Sequence, residues 1–206
     1  MRTRTITLLA GSTAAVVLAG AAAFVMTGEK DRFAQCRKSA IAGGTAQIGG
    51  PLELVSETGE TVTDKEIFTR PTLLYFGYTY CPDVCPMDTV RNAEAVDVLK
   101  ERGFDVQPVF ISVDWKRDNA QSMADFTHNV HPDMLGLTGS EEQIRAASKA
   151  YRTYFSIRDA EDEYYLIDHS TSTYLVLPET GFLEHFRREL TGEQLANDVQ
   201  CFLEHI

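Results

Sequence analysis

Leu73-Leu74-Tyr75-Phe76-Gly77-Tyr78-Thr79-Tyr80-Cys81-Pro82-Asp83-Val84-Cys85-Pro86 is the stretch on which the fold turns. Its first four residues are an apolar, aromatic run of strand length, suited to a doubly covered central strand. The spacing predicts a helix from about Pro82 to Arg102, because proline in a first turn gives up an N–H that has no intrahelical partner. Gly103 supplies the stop. Cys81 then stands at the helix N-terminus with Cys85 one turn on, their Cβ atoms roughly 5–6 Å apart on one face. The helix dipole and the unsatisfied N–H groups there favour thiolate. Two such sulfurs form a clamp for a soft metal ion, or a dithiol that can close to a disulfide. Val84, Met87, Ala95, Val98 and Leu99 share one face of this helix, interrupted by Arg91.

Upstream, Leu52 and Leu54 alternate as in a strand, Glu57 to Glu60 is a turn, and Thr61-Val62 begins the return arm of an N-terminal hairpin. Downstream, Val106 to Val113 is a strand ending at Asp114. Asp118 with Gln121 is expected to cap a helix carrying Met123, Phe126 and Val130, which Pro132 ends. A short strand, Met134 to Leu137, precedes a capping box at Ser140 and Gln143 and a helix through Tyr151. Tyr154 to Ile157 and Tyr164 to Ile167 read as strands around an acidic turn, Asp159 to Glu163. Thr173 to Leu177 and Phe182 to Arg187 make a hairpin. Thr191 with Gln194 caps a last helix that buries Leu195, Val199, Phe202 and Leu203 and leaves Cys201 off that face. The order gives an α/β protein with a central mixed sheet flanked by helices. Sites in such sheets form at the C-terminal strand ends, where Cys81 and Asp114 lie.

The chain has 206 residues, enough for one membrane segment and one domain. Arg2 and Arg4 precede an uncharged run from Thr5 to Gly28, long enough to cross a bilayer core of roughly 30 Å. The arginines predict a cytoplasmic N-terminus and an exported domain. Length favours an uncleaved anchor over residues 1–28; cleavage after Ala21-Ala22-Ala23 is the alternative. Residues 29–47 read as a polar tether and 48–206 as the domain. A net charge of −11 disfavours nucleic acid, whose phosphates need clustered Lys and Arg. Of four cysteines, Cys36 and Cys201 remain once the pair is set aside. In an oxidising compartment they are expected to form a structural bridge, worth about 5 kcal/mol in the chain-entropy model. Free thiols or an intermolecular bond are the alternatives.

Phe76-Gly77-Tyr78-Thr79-Tyr80-Cys81-Pro82-Asp83-Val84-Cys85-Pro86 resembles the signature of the Sco/SenC family, copper proteins of thioredoxin-like fold that help assemble cytochrome c oxidase. The likeness continues at Ile111 to Asp114, Arg117-Asp118, Leu137-Thr138-Gly139 and Asp168-His169-Ser170. It implies one copper per domain, Cu(I) or Cu(II), held by Cys81, Cys85 and His169. Cu(I) is soft and accepts two thiolates and one imidazole; zinc would want a fourth ligand. Asp168, Asp83 and Asp114 are candidates to stand behind the ligands. Expected partners are the copper-centre subunit of the oxidase and other copper chaperones. The location implied is the bacterial inner membrane, single-pass, with the domain in the periplasm.

Two other functions use the same dithiol. A thiol–disulfide reductase would use Cys81 and Cys85 as its redox pair without needing His169. A redox or copper sensor would report their state to a partner. A peroxiredoxin pattern fits neither cysteine. Trp115-Lys116 replaces the Pro-Glu-like pair usual in the family after this aspartate, which bears on the local turn and any contact made there. His128 and His131 have metal-like spacing but no further ligand nearby and are expected to be solvated, and His185 and His205 belong to no evident cluster.

Overall fold

The structure is a computed structural model that describes residues 31–39, 48–158 and 161–206. The expected membrane segment lies outside the described residues, among which no helix is long and apolar enough to cross a membrane. The chain divides into two compact units, Met1–Gln35 and Cys36–Ile206. In the first, residues 31–35 form a turn in which Asp31 accepts the Phe33 and Ala34 N–H groups.

The second unit is built on a seven-stranded mixed sheet of order β2-β1-β5-β4-β3-β8-β9. These strands are β1 (Glu53–Ser56), β2 (Thr61–Thr63), β3 (Thr72–Gly77), β4 (Gln107–Ser112), β5 (Leu135–Thr138), β8 (Thr173–Leu177) and β9 (Gly181–Phe186). Every residue of β3 is buried, as its unbroken apolar pattern requires of a strand covered on both faces. It runs parallel to β4 and antiparallel to β8, so strong pairings flank it on either side. The N-terminal hairpin, β1 with β2, joins the sheet by pairing β1 antiparallel to β5. A separate two-stranded sheet pairs β6 (Phe155–Ile157) with β7 (Ile167–His169).

The helices are α1 (Asp64–Ile67), α2 (Val84–Glu101), α3 (Ala120–Val130), α4 (Glu141–Ala150) and α5 (Gly192–Leu203). Capping boxes start α4 at Ser140 with Gln143 and α5 at Thr191 with Gln194. Three local expectations are corrected. Helix α2 starts at Val84 rather than near Pro82, with Asp83 as its cap residue at φ −133°, ψ −86°. Helix α3 is capped by Asn119 with Ser122, because the Asp118 carboxylate is taken up by Thr79 and Ser112. His131 is buried rather than solvated: Nε2 meets Asp97 at 3.2 Å and Nδ1 accepts the Asp133 N–H at 3.1 Å.

The buried face of α2 also differs from the apolar stripe expected of it. Met87 is exposed, whereas Asp88, Arg91 and Asn92 face inward. They are held by partners that a hydrophobic period does not reveal. The Tyr75 hydroxyl donates to Asp88 at 2.9 Å, and Arg91 donates to Thr173 Oγ1 at 2.7 Å and Asn92 Oδ1 at 3.1 Å. Buried polar groups are tolerable when paired in this way.

Cys36 and Cys201 are joined by a disulfide, with Cα atoms 5.7 Å apart. Beside it the Glu184 carboxylate, itself buried, accepts the N–H groups of Lys38 and Ser39 and the Ser39 hydroxyl. Residues 36–39 are thereby fastened to β9 and α5.

Candidate metal centre

Strand β3 delivers the chain to the site and ends at Gly77. A Cβ at that position would lie 2.9 Å from Cys85 Sγ and 2.9 Å from Phe110 Cε2, so only glycine lets the strand end pass this close to the sulfur. The backbone then turns, with the Cys81 N–H donating to the Tyr78 carbonyl at 3.3 Å. Cys81 precedes α2, and Cys85 is the second residue of its first turn. Asp83 makes no side-chain cap bond; instead Cys81 Sγ accepts the Cys85 N–H at 3.4 Å. The sulfur therefore fills the place of a capping oxygen, satisfying one of the orphan donors of the helix. Pro86 falls in the same first turn, where its missing N–H is no loss.

His169 comes from the far end of β7, opposite Phe155 on β6. Its Nδ1 lies 2.9 Å from the Ser170 carbonyl oxygen. A carbonyl only accepts, so Nδ1 carries the proton and the Nε2 lone pair points at Cys85 Sγ, 3.2 Å away. The rings of Tyr75 and Tyr78 stand perpendicular to the imidazole with centroids 6.1 and 5.8 Å off, and the Ile167 N–H donates to the Tyr78 hydroxyl at 3.4 Å. Tyr154 and Ser170 exchange two hydrogen bonds that fix the loop after His169. The donor atoms of Cys81, Cys85 and His169 all fall within 4.8 Å of one another. Both cysteines are buried free thiols and the imidazole is partly exposed, so the group is open on the histidine side.

The electrostatics separate the two sulfurs. A hydrogen bond from the Cys85 thiol holds Cys81 well below the ordinary thiol range, and the Cys85 and Asp83 N–H groups and His169 add to this against the effect of burial. The same hydrogen bond, together with burial, pushes Cys85 up. Cys81 is therefore the sulfur that ionises more readily and Cys85 the one that keeps its proton. Two sulfurs and an imidazole converging on one point suit a soft ion such as Cu(I), which accepts three donors. Zinc would need a fourth, and no other His, Cys, Asp or Glu joins this group among the described residues.

The three aspartates stand elsewhere. Asp83 is exposed at the start of α2. Asp168 pairs with Arg158 at 2.5 Å, so the carbonyl of Ser170, not this carboxylate, orients the imidazole. Asp114 is fully buried and its oxygens are taken by Arg117 Nε at 2.5 Å and the Tyr165 hydroxyl at 2.5 Å. Sequence reasoning missed Asp118. Its buried carboxylate accepts the Thr79 N–H at 2.9 Å, the Thr79 hydroxyl, and Ser112 Oγ at 2.5 Å, pinning the chain two residues before Cys81. The Arg117-Asp118 pair in the sequence signature was the available signal. Arg117 lies 3.6 Å from the centroid of Tyr165 and 4.8 Å from that of Tyr80, bracing the turn from outside. Trp115 and Lys116 line a cleft of about 370 Å³ with Arg145 and Phe155.

Comparison with known proteins finds matches along most of the chain. The SCO1/SenC family model matches residues 41–204. Protein SenC of Rhodobacter capsulatus is 54% identical over 198 residues, covering 95% of this chain and 89% of that protein. The crystal structure of Arabidopsis thaliana ScoI with copper bound is 40% identical at a TM-score of 0.73, covering 76% of this chain and 99% of that one. BsSco, a member of the Sco family of cytochrome c oxidase assembly proteins in which a disulfide switch was identified, is 25% identical at a TM-score of 0.59, covering 74% and 91%. By the extent of the family match, by its likeness to SenC and by a sheet and helices shared with these structures, the chain belongs to the SCO1/SenC family.

Proposed function

We propose that this protein is a copper metallochaperone that takes one copper ion as cargo on Cys81, Cys85 and His169 and assists assembly of the binuclear copper centre of cytochrome c oxidase. The observation that carries the reading is the convergence of two sulfurs and one correctly tautomeric imidazole within 4.8 Å, in a chain whose relative of known structure holds copper. Asp118 and Gly77 hold the sulfur turn, Ser170 presents Nε2, and the open histidine side admits donors of a second protein. Cargo moves by exchange: an incoming thiolate bonds to copper as one of the three donors leaves. The partners are the oxidase subunit that houses the copper centre and the copper chaperones that load this one.

The chain is organised as an anchor over residues 1–28, a tether over 29–47 and a copper domain over 48–206. It sits in a bacterial inner membrane as a single-pass protein with the domain in the periplasm. Arg2, Arg4 and the apolar run behind them support that orientation, and the Cys36–Cys201 disulfide supports an oxidising compartment.

The test is copper binding and oxidase assembly in matched variants. His169→Ala is expected to lower Cu(I) affinity at least tenfold and to fail in restoring oxidase activity to a deletion strain, while its dithiol still oxidises normally. Unchanged copper affinity in that variant overturns the reading. A second reading, thiol–disulfide exchange on oxidase cysteines, is favoured by the low-lying Cys81 thiolate set beside Cys85 and by the disulfide switch of BsSco. It predicts that Cys81→Ser abolishes oxidase assembly while His169→Ala does not.

A further inference from the structure

The Cys36–Cys201 bridge lies beside a histidine, and the three residues repeat the donor set of the site above. Cys201 and His205 are four apart, and the backbone stays wound past the end of α5, with the Glu204 N–H on the Gln200 carbonyl at 3.0 Å and the His205 N–H on that of Phe202 at 3.1 Å. That spacing puts both side chains on one face. Cys36 crosses over them from the distant N-terminal segment, and its Sγ lies 4.0 Å from His205 Nδ1. The donor atoms of Cys36, Cys201 and His205 fall within 4.8 Å of one another, as those of Cys81, Cys85 and His169 do. In each group two donors sit four residues apart and the third comes from far along the chain.

We propose that Cys36, Cys201 and His205 form a second soft-metal site, latent in the disulfide and opened by reduction. A dithiol reductant supplies two electrons and two protons; the S–S bond breaks, the reductant leaves as its own disulfide, and Cys36 and Cys201 become thiols. Cu(I) then binds with release of both thiol protons. The Nδ1 atom of His205 now faces the Cys201 carbonyl at 2.7 Å. To ligate, the imidazole moves its proton to Nε2 and gives up that hydrogen bond. Position assists the exchange, since the C-terminus of α5 carries the negative end of the helix dipole and favours a cation. The Glu184 bonds to Lys38 and Ser39 keep Cys36 in place once the S–S bond has opened. The site would hold copper only where the compartment turns reducing.

The experiment uses the full-length chain in detergent, carrying Cys81→Ser and Cys85→Ser to silence the first site. Cu(I) is the probe, in competition with a chromophoric Cu(I) chelator. Before reduction no copper is retained. After treatment with dithiothreitol and its anaerobic removal, one copper per chain is retained, and X-ray absorption shows two sulfurs and one nitrogen. Adding His205→Ala weakens binding at least tenfold. The proposal is overturned if the disulfide resists dithiothreitol in the folded chain, if the reduced chain retains no copper, or if His205→Ala leaves the affinity unchanged. None of these results bears on copper held by the unmodified chain with its disulfide closed, so failure here is separable from failure of the first site.

Discussion

Replacing Gly77 by alanine tests the site without touching a donor. The added Cβ would stand 2.9 Å from Cys85 Sγ and 2.9 and 3.0 Å from two carbons of the Phe110 ring. Carbon contacts settle at about 3.5–4.0 Å, so something must retreat by about 0.6–1 Å. The strand cannot. It is paired to β4 and β8, and the Gly77 carbonyl accepts the Val113 N–H at 2.7 Å. Phe110 is held between Tyr75 and Phe126, at centroid distances of 6.1 and 4.7 Å. The Phe110 contacts are then met by strain, and on the other side Cys85 yields by more than the roughly 0.5 Å that a preorganised site tolerates. Overpacking of this kind costs about 1–3 kcal/mol. Urea unfolding of the apo protein should show that loss as a lower midpoint at unchanged slope. Competition with a Cu(I) chelator should show affinity reduced about tenfold or more, since about 1.4 kcal/mol is one decade. A variant with wild-type midpoint and wild-type copper affinity would refute the claim that this glycine exists to let the sulfur in.

Four more outcomes are expected. Because Cys81 titrates below and Cys85 above the ordinary thiol range, iodoacetamide should alkylate Cys81 of the reduced apo protein rapidly at neutral pH and leave Cys85 unmodified, as mass mapping reads directly. The depressed Cys81 value stabilises the fold fully above the pKa of a thiol in the unfolded chain and is lost as pH falls through the folded value, so the urea midpoint of the reduced form should rise from pH 5 to pH 7.5, by about the linkage slope of one proton. Asp118→Ala leaves the Thr79 N–H and Ser112 without their acceptor, and with about 1.5–3 kcal/mol per hydrogen bond to a charged group it should cost about 3 kcal/mol by urea unfolding and weaken copper binding through Cys81. Cys36→Ser opens a bridge of 165 residues' separation and should lower stability by about 2–5 kcal/mol under non-reducing conditions, with no change in copper affinity at the first site.

The strands and capping boxes were legible because they depend on neighbours in sequence. The unbroken apolar β3 run and the pairs Ser140/Gln143 and Thr191/Gln194 state their structure locally. The convergence of Cys81, Cys85 and His169 was legible only through the family resemblance, since nothing near His169 in the chain announces two sulfurs 84 and more residues away. Features set by tertiary partners were misread. Asp118 looked like a cap because its carboxylate could reach the α3 N-terminus, but Thr79 and Ser112 hold it. Proline at a first turn suggested a helix start near Pro82, whereas the helix starts at Val84 and the Cys81 sulfur takes the place of its cap. Tyr164 to Ile167 read as a strand, yet Tyr164 and Leu166 are exposed and the strand runs Ile167–His169. His205 showed no cluster because its partners, Cys36 and the carbonyl of Cys201, meet it only after folding.

The small sheet of β6 and β7 has its own hydrogen-bond ladder and shares none with the seven strands. On the function proposed above, two copper donors thus belong to the trunk, at the mouth of β3, while the third rides on a limb. Taking the third donor away would break no rung of the main sheet. Moving the imidazole therefore leaves the seven-stranded sheet paired but has to lift Ile167 out of the core, which sets how readily the third donor lets go.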